Sequence, residues 1–244
     1  MAAFEVSGHQ PKNKNSRIWR YMDFTKFIDL ISTQEIFFSR IDKLDDKYEA
    51  TFPLANDNHP SVKNNKIVKY LYDFTKKINY ENREWIYINC WHINEHESAA
   101  MWQLYGKNRE SIAIETTYEN LKNLLPQNTK IGIIHYLDYN SESIKRIDSV
   151  THIFYKRKSF EHEKEVRIYL QDENISENGF VEISKKNNSY GKKINIEIEK
   201  LITTIHVSPT ADEWFLELVK KVVQEDYKLN IEVKQSDLYK DPIY

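Results

Sequence analysis

The chain has 244 residues, of which 40% are hydrophobic and 30% are charged, and its formal net charge is -2. This length can bury the core of a single large domain. Glycine occurs only 5 times, and neither a Walker pattern nor Gly-x-Gly-x-x-Gly is present, which excludes a P-loop nucleotidase and a Rossmann dinucleotide site. The charge balance also disfavours a non-specific nucleic-acid binder, which needs a basic face.

Cysteine content and hydropathy indicate the compartment. The single cysteine, Cys90, has no partner within the chain, and this favours a reducing environment. No run of about 18 apolar residues is present, so we expect no membrane partner. The sequence therefore predicts a cytoplasmic protein.

The apolar spacing predicts one domain behind a polar segment. We expect residues 1–16 to form a loose leader. We expect residues 17–244 to form a single α+β domain with a mixed, mostly antiparallel sheet and flanking helices. The predicted elements of the first half are, in order, a strand over 17–21, a helix after Asp23, a strand over 35–40, a helix over 67–78, a strand over 85–91 and a helix over 97–105.

The second half continues the alternation of helices and strands. The predicted elements are a strand over 111–114, a helix over 118–125, strands over 131–139 and 165–170 with a helix over 141–154 between them, a turn-rich hairpin region over 172–193, a strand over 201–208, a helix over 210–227 and a strand over 230–233. Thr210 and Glu213 have the spacing of a capping box at the start of the last helix. We expect the strands over 17–21, 36–40, 87–91 and 165–170 to carry the functional cleft.

A short acidic and basic run begins the strand over 165–170. Because side chains alternate along a strand, Glu163, Glu165 and Arg167 are expected on one face. Such a face is costly to bury unless it is paired or lines a wet cleft. A carboxylate here can act as a general base or stabilise an oxocarbenium-like centre; the alternative is a structural ion pair.

Two further clusters carry possible chemistry. In the strand over 17–21, arginines lie beside aromatic residues. An arginine in this setting can bind a phosphate or pyrophosphate while an aromatic ring stacks on a base. The acids that follow Ser39 and Arg40 favour either a divalent cation or a solvated turn. The acids of this second cluster are Asp45, Asp46 and Glu49.

The order of these motifs resembles an uncharacterised prokaryotic family called domain of unknown function 2971. The resemblance spans most of the chain and rests on Arg20-Tyr21, Phe38-Ser39-Arg40, Tyr48-Glu49, Met101-Trp102 with Tyr105, the 162–167 run, and Val207-Ser208-Pro209. Family members often have Asn-Asp-Pro in the acidic turn, where this chain has Asp45-Asp46-Lys47. The family name itself implies no activity.

Along the chain, one predicted strand carries an arginine, a later strand carries a serine, and a still later strand carries Glu-x-Glu. This order of motifs is similar to that of ADP-ribosyltransferases. The resemblance implies that NAD is the substrate, that Glu165 is the catalytic acid and that Glu163 orients the acceptor. It further implies that Arg17 or Arg20 holds NAD and that Ser39 or Tyr105 supports the nicotinamide ring. The Ser-Thr-Ser pattern of better-known members is absent. Tyr21, Arg40 and Arg167 lie in the same motifs and complete the predicted cofactor-binding set.

Three functional hypotheses follow from these patterns. The first is an NAD-consuming ADP-ribosyltransferase or NAD glycohydrolase, in phage defence or a toxin system, that needs no metal and has a protein or nucleic acid as acceptor. The second is a non-catalytic module that binds a nucleotide or a peptide. The third is a metal-dependent hydrolase or nuclease that uses the 45–49 acids and His92. The oligomeric state is left open.

Overall fold

The computed structural model describes residues 2–106, 109–145, 148–172, 186–240 and 242. The strands of this part of the chain are β1 Phe4–Glu5, β2 Arg17–Asp23, β3 Glu35–Arg40, β4 Ile86–Ile93, β5 Ser111–Thr117, β6 Thr129–Ile133, β7 His135–Leu137, β8 Tyr155–Arg157, β9 Glu165–Gln171, β10 Gly191–Asn195, β11 Thr204–Val207 and β12 Glu232–Gln235.

The helices lie on both sides of these strands. They are α1 Phe24–Thr33, α2 Leu54–Asp57, α3 Pro60–Lys63, α4 Lys66–Glu81, α5 Ala99–Tyr105, α6 Tyr118–Leu124, α7 Ile198–Leu201 and α8 Glu213–Lys220. None of the helices in the described ranges has the length and apolar character needed to cross a membrane.

Ten strands of the described residues form one sheet, in the order β1-β6-β9-β4-β2-β5-β11-β12, with β3 joined to β4 and to β10. The β1–β6 and β11–β12 pairs are parallel, and the other pairs of this sheet are antiparallel. β7 and β8 form a separate parallel pair. This confirms the prediction of one α+β domain with a mixed, mostly antiparallel sheet and flanking helices.

The two faces of the sheet differ in chemistry, as β9 illustrates. Val166, Ile168 and Leu170 join the main apolar core, which is shared with α1, α6 and α8. The alternate residues Glu165 and Arg167 point to the opposite face and are buried there. Alternation along the strand thus gives β9 one apolar face and a second face that carries Glu165 and Arg167 and then Tyr169, which joins a smaller apolar cluster.

The N-terminal segment is ordered, which corrects the prediction of a loose leader over 1–16. β1 pairs with β6, and the backbone N–H of Val6 donates to the carbonyl of Ile131. His9 is buried, and its ring stacks on His135. The polar composition of the segment concealed these contacts, because they depend on residues more than a hundred positions away.

The prediction of a helix over 141–154 is wrong for the described residues of that range. The only helical element among them is a 3-10 turn at Thr151–Phe154. Asp138 and Asp148 accept hydrogen bonds from nearby backbone N–H groups, and such local bonds compete with helix formation.

The last helix begins at Glu213 rather than at 210, with Asp212 as its N-cap. Most of the predicted hairpin region, 173–185, lies outside the described residues.

Two adjacent aromatic residues on α8 test how the helix packs. Phe215 is buried against the main core, whereas Trp214 is 56% exposed. We expect Phe215→Ala to lower the free energy of unfolding by about 3–5 kcal/mol because it leaves a cavity. Trp214→Ala should cost less than about 1 kcal/mol. Chemical denaturation measures both, and equal losses would contradict this packing.

Candidate functional site

The sheet contains a gap along one edge of β4. The other edge of β4 pairs with β9 from Ile86 to His92. On the gapped edge, β3 pairs with β4 at Tyr87 and Ile88, and β2 pairs with it at His92 and Ile93. Residues 89–91 lie between these two pairings, so β2 and β3 separate there.

Side chains occupy part of the gap. Nη1 of Arg20 on β2 donates to the carbonyl oxygen of Cys90 at 3.1 Å. Nδ2 of Asn89 donates to the carbonyl oxygen of Phe37 on β3 at 2.8 Å. These bonds replace the missing strand-to-strand bonds, because buried backbone groups need partners.

A cavity of about 460 Å³ lies at the gap, a size typical of small-molecule sites. Its walls come from β2, β3, β4, α1 and the end of α5. Four of the predicted cofactor-binding residues line it, although they are far apart in the sequence: Arg20, Tyr21, Ser39 and Tyr105. The fold therefore brings these four residues to one place.

Two cations line this cavity, Arg20 and Lys26, and Lys26 is paired with Asp23 at 2.8 Å. The Arg20 guanidinium lies 6.0 Å from the ring centroid of Trp91, and its hydrogen bond to Cys90 uses one nitrogen. No carboxylate of the described residues lies within ion-pair distance of it. Burial lowers the pKa of Arg20, but an arginine remains charged at neutral pH. The carboxylates in the cavity wall, Asp29 and Glu35, lie 2.8 and 3.9 Å from Lys193, so among the described residues Arg20 is a cation without an ion-pair partner.

Two partly exposed rings complete the cavity wall. Phe37 is 41% exposed and Tyr105 is 47% exposed, and both line the cavity. Planar side chains with a free face can stack on a nucleobase or on nicotinamide. The cavity therefore combines a cation with aromatic surface.

Contacts at the start of α5 hold the helix that carries Tyr105. The hydroxyl of Tyr21 accepts a hydrogen bond from the backbone N–H of Ser98 at 2.9 Å. The indole N–H of Trp102 donates to Glu97, whose other oxygen lies 3.3 Å from Nδ1 of His206. Burial alone would lower the pKa of His206, but hydrogen bonds with Glu115 and Glu97 outweigh burial and raise it. Tyr21 thus anchors a wall of the cavity, while its own hydroxyl is engaged.

A buried ionic cluster lies on the second face of β4 and β9. Arg167 has no exposed side-chain surface, and it donates from Nε to Oε1 of Glu165 at 2.6 Å and from Nη2 to Oε2 at 2.9 Å. Its Nη1 donates to Glu49 at 2.9 Å and to the carbonyl of Ile153 at 2.8 Å. The guanidinium is therefore fully paired.

Lys156 on β8 extends this cluster toward solvent. Its Nζ lies 2.9 Å from Glu49, 2.6 Å from Glu163 and 3.6 Å from Glu165. Glu163 is the most accessible carboxylate of the cluster, with 14% of its side chain exposed. Glu163 is the last residue of the 3-10 turn Lys158–Glu163 and does not lie on a strand. It nevertheless belongs to the same cluster as Glu165 and Arg167, the two residues with which the sequence predicts it to share a face.

Within the cluster, the pKa values of Glu163 and Glu165 are shifted in opposite directions. Burial alone would raise the pKa of Glu165, but the charges of Arg167 and Lys156 outweigh burial and lower it. For Glu163, burial outweighs Lys156, and its pKa is raised. Burial and then the Glu165 carboxylate raise the pKa of the Cys90 thiol, so Cys90 is a neutral thiol between the cluster and the cavity.

Three predicted binding residues, Arg17, Arg40 and Arg167, lie outside the cavity. Arg17 is exposed on β2 and lies 3.4 Å from Glu115. Arg40 is buried in a bidentate pair with Asp42, and it donates to the carbonyls of Asn187 and Ser189. Arg167 cannot contact a ligand because its donors serve the buried cluster. All three guanidinium groups are neutralised by the protein itself.

The residues of the metal hypothesis are dispersed among other contacts. Asp46 pairs with Arg157 at 2.7 Å, Glu49 pairs within the ionic cluster, and Nδ1 of His92 lies 2.6 Å from the carbonyl of Glu163. In the described part of the chain, no three His, Cys, Asp or Glu side chains are grouped to hold a metal ion. The geometry gives the metal-dependent hydrolase no support.

Comparison of the chain with protein-family models, with curated proteins and with solved structures finds no match. The resemblances to the uncharacterised prokaryotic family and to ADP-ribosyltransferases therefore remain predictions. The functional interpretation depends on the geometry of the site.

Sequence reasoning missed Lys156, Asn89 and the position of Cys90 in the cavity wall. Lys156 lies within a basic stretch, and no local pattern distinguishes it from the neighbouring exposed cations. Asn89 is a polar residue at the centre of a buried strand, and this was the one local signal of an interrupted sheet.

We expect Glu165→Gln to lower the free energy of unfolding by about 3–5 kcal/mol, because it leaves Arg167 buried with one carboxylate fewer. The matched control is Glu161→Gln, an exposed acid of the same segment, which should change stability by less than about 0.5 kcal/mol. Denaturant unfolding measures both. Equal midpoints for the Glu165 variant and the wild type would show that the pair does not hold the fold.

Proposed function

We propose that the chain binds a nucleotide-type anion in the cavity at the gap between β2 and β3, and that NAD is its substrate. The observation that carries this proposal is the guanidinium of Arg20, which lines the cavity and makes no ion pair with a carboxylate of the described residues. An arginine in such a position suits a phosphate or pyrophosphate, since its free N–H groups can donate to two oxygens. Phe37 and Tyr105 offer faces for the planar part of the ligand.

Arg20→Gln should weaken NAD binding at least 10-fold, because the amide keeps a donor for the Cys90 carbonyl but removes the charge. Arg17→Gln is the matched control, because it removes an arginine of the same strand from outside the cavity, and it should bind NAD as the wild type does. Isothermal titration with NAD, ADP-ribose and nicotinamide measures the affinities. Equal affinity in the Arg20 variant and the wild type would contradict the proposal.

A second step, cleavage of NAD, is favoured by the position of Glu163. Its carboxylate is close enough to Tyr105 to add to the effect of burial, and together they raise the pKa of the Tyr105 hydroxyl to about 12. Tyr105 lines the cavity and Glu163 does not, so the proposal requires the nicotinamide ribose to extend past Tyr105 toward Glu163. Both oxygens of Glu165 are held by Arg167, and we therefore assign the catalytic carboxylate to Glu163 instead.

The cleavage step follows from this assignment. The bond between nicotinamide and the ribose C1′ breaks, and its electron pair leaves with nicotinamide. The anionic Glu163 stabilises the oxocarbenium-like centre that develops at C1′. Water or a nucleophile of a protein or nucleic acid then bonds to C1′ and releases its proton. We assign this reaction to the cytoplasm, the compartment expected from the single Cys90.

Nicotinamide release from NAD by the purified protein tests this step, with and without cell lysate as a source of acceptor. Glu163→Gln should lower the rate at least 100-fold and leave the affinity for NAD within a few-fold of the wild type. Glu161→Gln, two residues away and exposed, should release nicotinamide at the wild-type rate. No release by a folded wild-type protein that binds NAD would reject cleavage and leave a binding module.

A further inference from the structure

α4 presents an apolar stripe to solvent. Ile67 is 73% exposed, Tyr70 69%, Leu71 55% and Phe74 53%, and their spacing places all four on one side of the helix. A surface helix normally turns such a stripe to the core. Here Tyr72 and Asn79 face the domain instead, and Lys76 pairs with Asp57 at 2.8 Å.

The stripe leads into a groove. Phe74 is shared between the stripe and a cavity of about 730 Å³, which is also lined by Ile78 and Tyr80. Exposed apolar surface continuous with a concave groove is typical of protein-docking sites.

Three lysines border this surface. Lys66 and Lys77 lie about three helical turns apart on one side of the stripe, and Lys47 lines the groove. Lys66 and Lys47 have no ion pair among the described residues, and Lys77 approaches Glu81 only at 4.0 Å. By contrast, the other two acids of the groove are closely paired, Asp42 with Arg40 at 2.8 Å and Glu84 with Lys186 at 3.4 Å. The charges at this border that have no ion-pair partner among the described residues, Lys47 and Lys66, are therefore positive.

From this placement we infer that α4 docks an acidic amphipathic helix of a partner protein. A helix surface offers no unpaired backbone N–H or C=O groups, so a partner strand cannot add to it and recognition is through side chains. The apolar side of the partner would cover the stripe, and its carboxylates would meet Lys47, Lys66 and Lys77. Two copies of α4 would instead bring like-charged lysines together, which disfavours self-association through this face.

A synthetic peptide tests this inference. The probe is a fluorescein-labelled helical peptide with Leu at i, i+3, i+4 and i+7 and Glu on both flanks, and its control has Lys in place of Glu. Fluorescence polarisation should show that the Glu peptide binds at least 10-fold more tightly than the Lys peptide and weakens as salt rises. Leu71→Glu should reduce the affinity of the Glu peptide at least 10-fold. Trp214→Glu, at an exposed ring on α8, should leave it unchanged.

Three results would overturn the inference. One is no binding of the Glu peptide up to about 1 mM, and another is equal affinity in the Leu71→Glu variant. The third is that Leu71→Glu leaves peptide binding unaffected but abolishes either self-association or binding to anionic phosphatidylserine vesicles. Leu71 is exposed, so its replacement should leave the unfolding temperature within about 3 °C of the wild type. NAD binding and nicotinamide release are independent of every arm of this experiment.

Discussion

The pairing of Arg167 governs the arrangement around it. A fully buried guanidinium needs carboxylates, and it takes one from its own strand, Glu165, and one from Glu49, 118 residues earlier in the chain. Lys156 then balances the acids and holds Glu163 at 2.6 Å, at the edge of the cluster. The cluster thus fixes where the most accessible carboxylate lies, and it links the turn after β3 to β8 and β9.

The gap beside β4 has a complementary role. Pairing of β4 with β9 is continuous, so the backbone that carries Cys90 is fixed from one side. On the other side, the separation of β2 and β3 leaves room for the Arg20 side chain and for a cavity. Cys90 lies between the two sites, since its carbonyl accepts from Arg20 and its thiol lies beside Glu165. Arg20 and the ionic cluster therefore contact the same residue of β4, the guanidinium through the backbone carbonyl of Cys90 and the cluster through its thiol.

The sequence predicted the strands of this region well, because β2, β3, β4 and β9 have clear apolar patterns and the shared face of Glu165 and Arg167 follows from alternation. It could not predict that Glu165 is held by Arg167 with both oxygens, because the choice between a cleft and a buried pair depends on Glu49 and Lys156, which are distant in sequence. The stripe of α4 shows the same limit. Its periodicity gave the helix but not its orientation, which is set by contacts such as the pairing of Lys76 with Asp57.

The gap beside β4 is the proposed ligand site, and a crystal structure of the protein grown with NAD would locate the ligand. We expect pyrophosphate density within hydrogen-bond distance of the Arg20 guanidinium, with a planar ring against Tyr105 or Phe37. NAD bound elsewhere, for example in the cavity of about 780 Å³ lined by Ile93, Ile133 and Tyr136, with the gap unoccupied, would contradict this proposal.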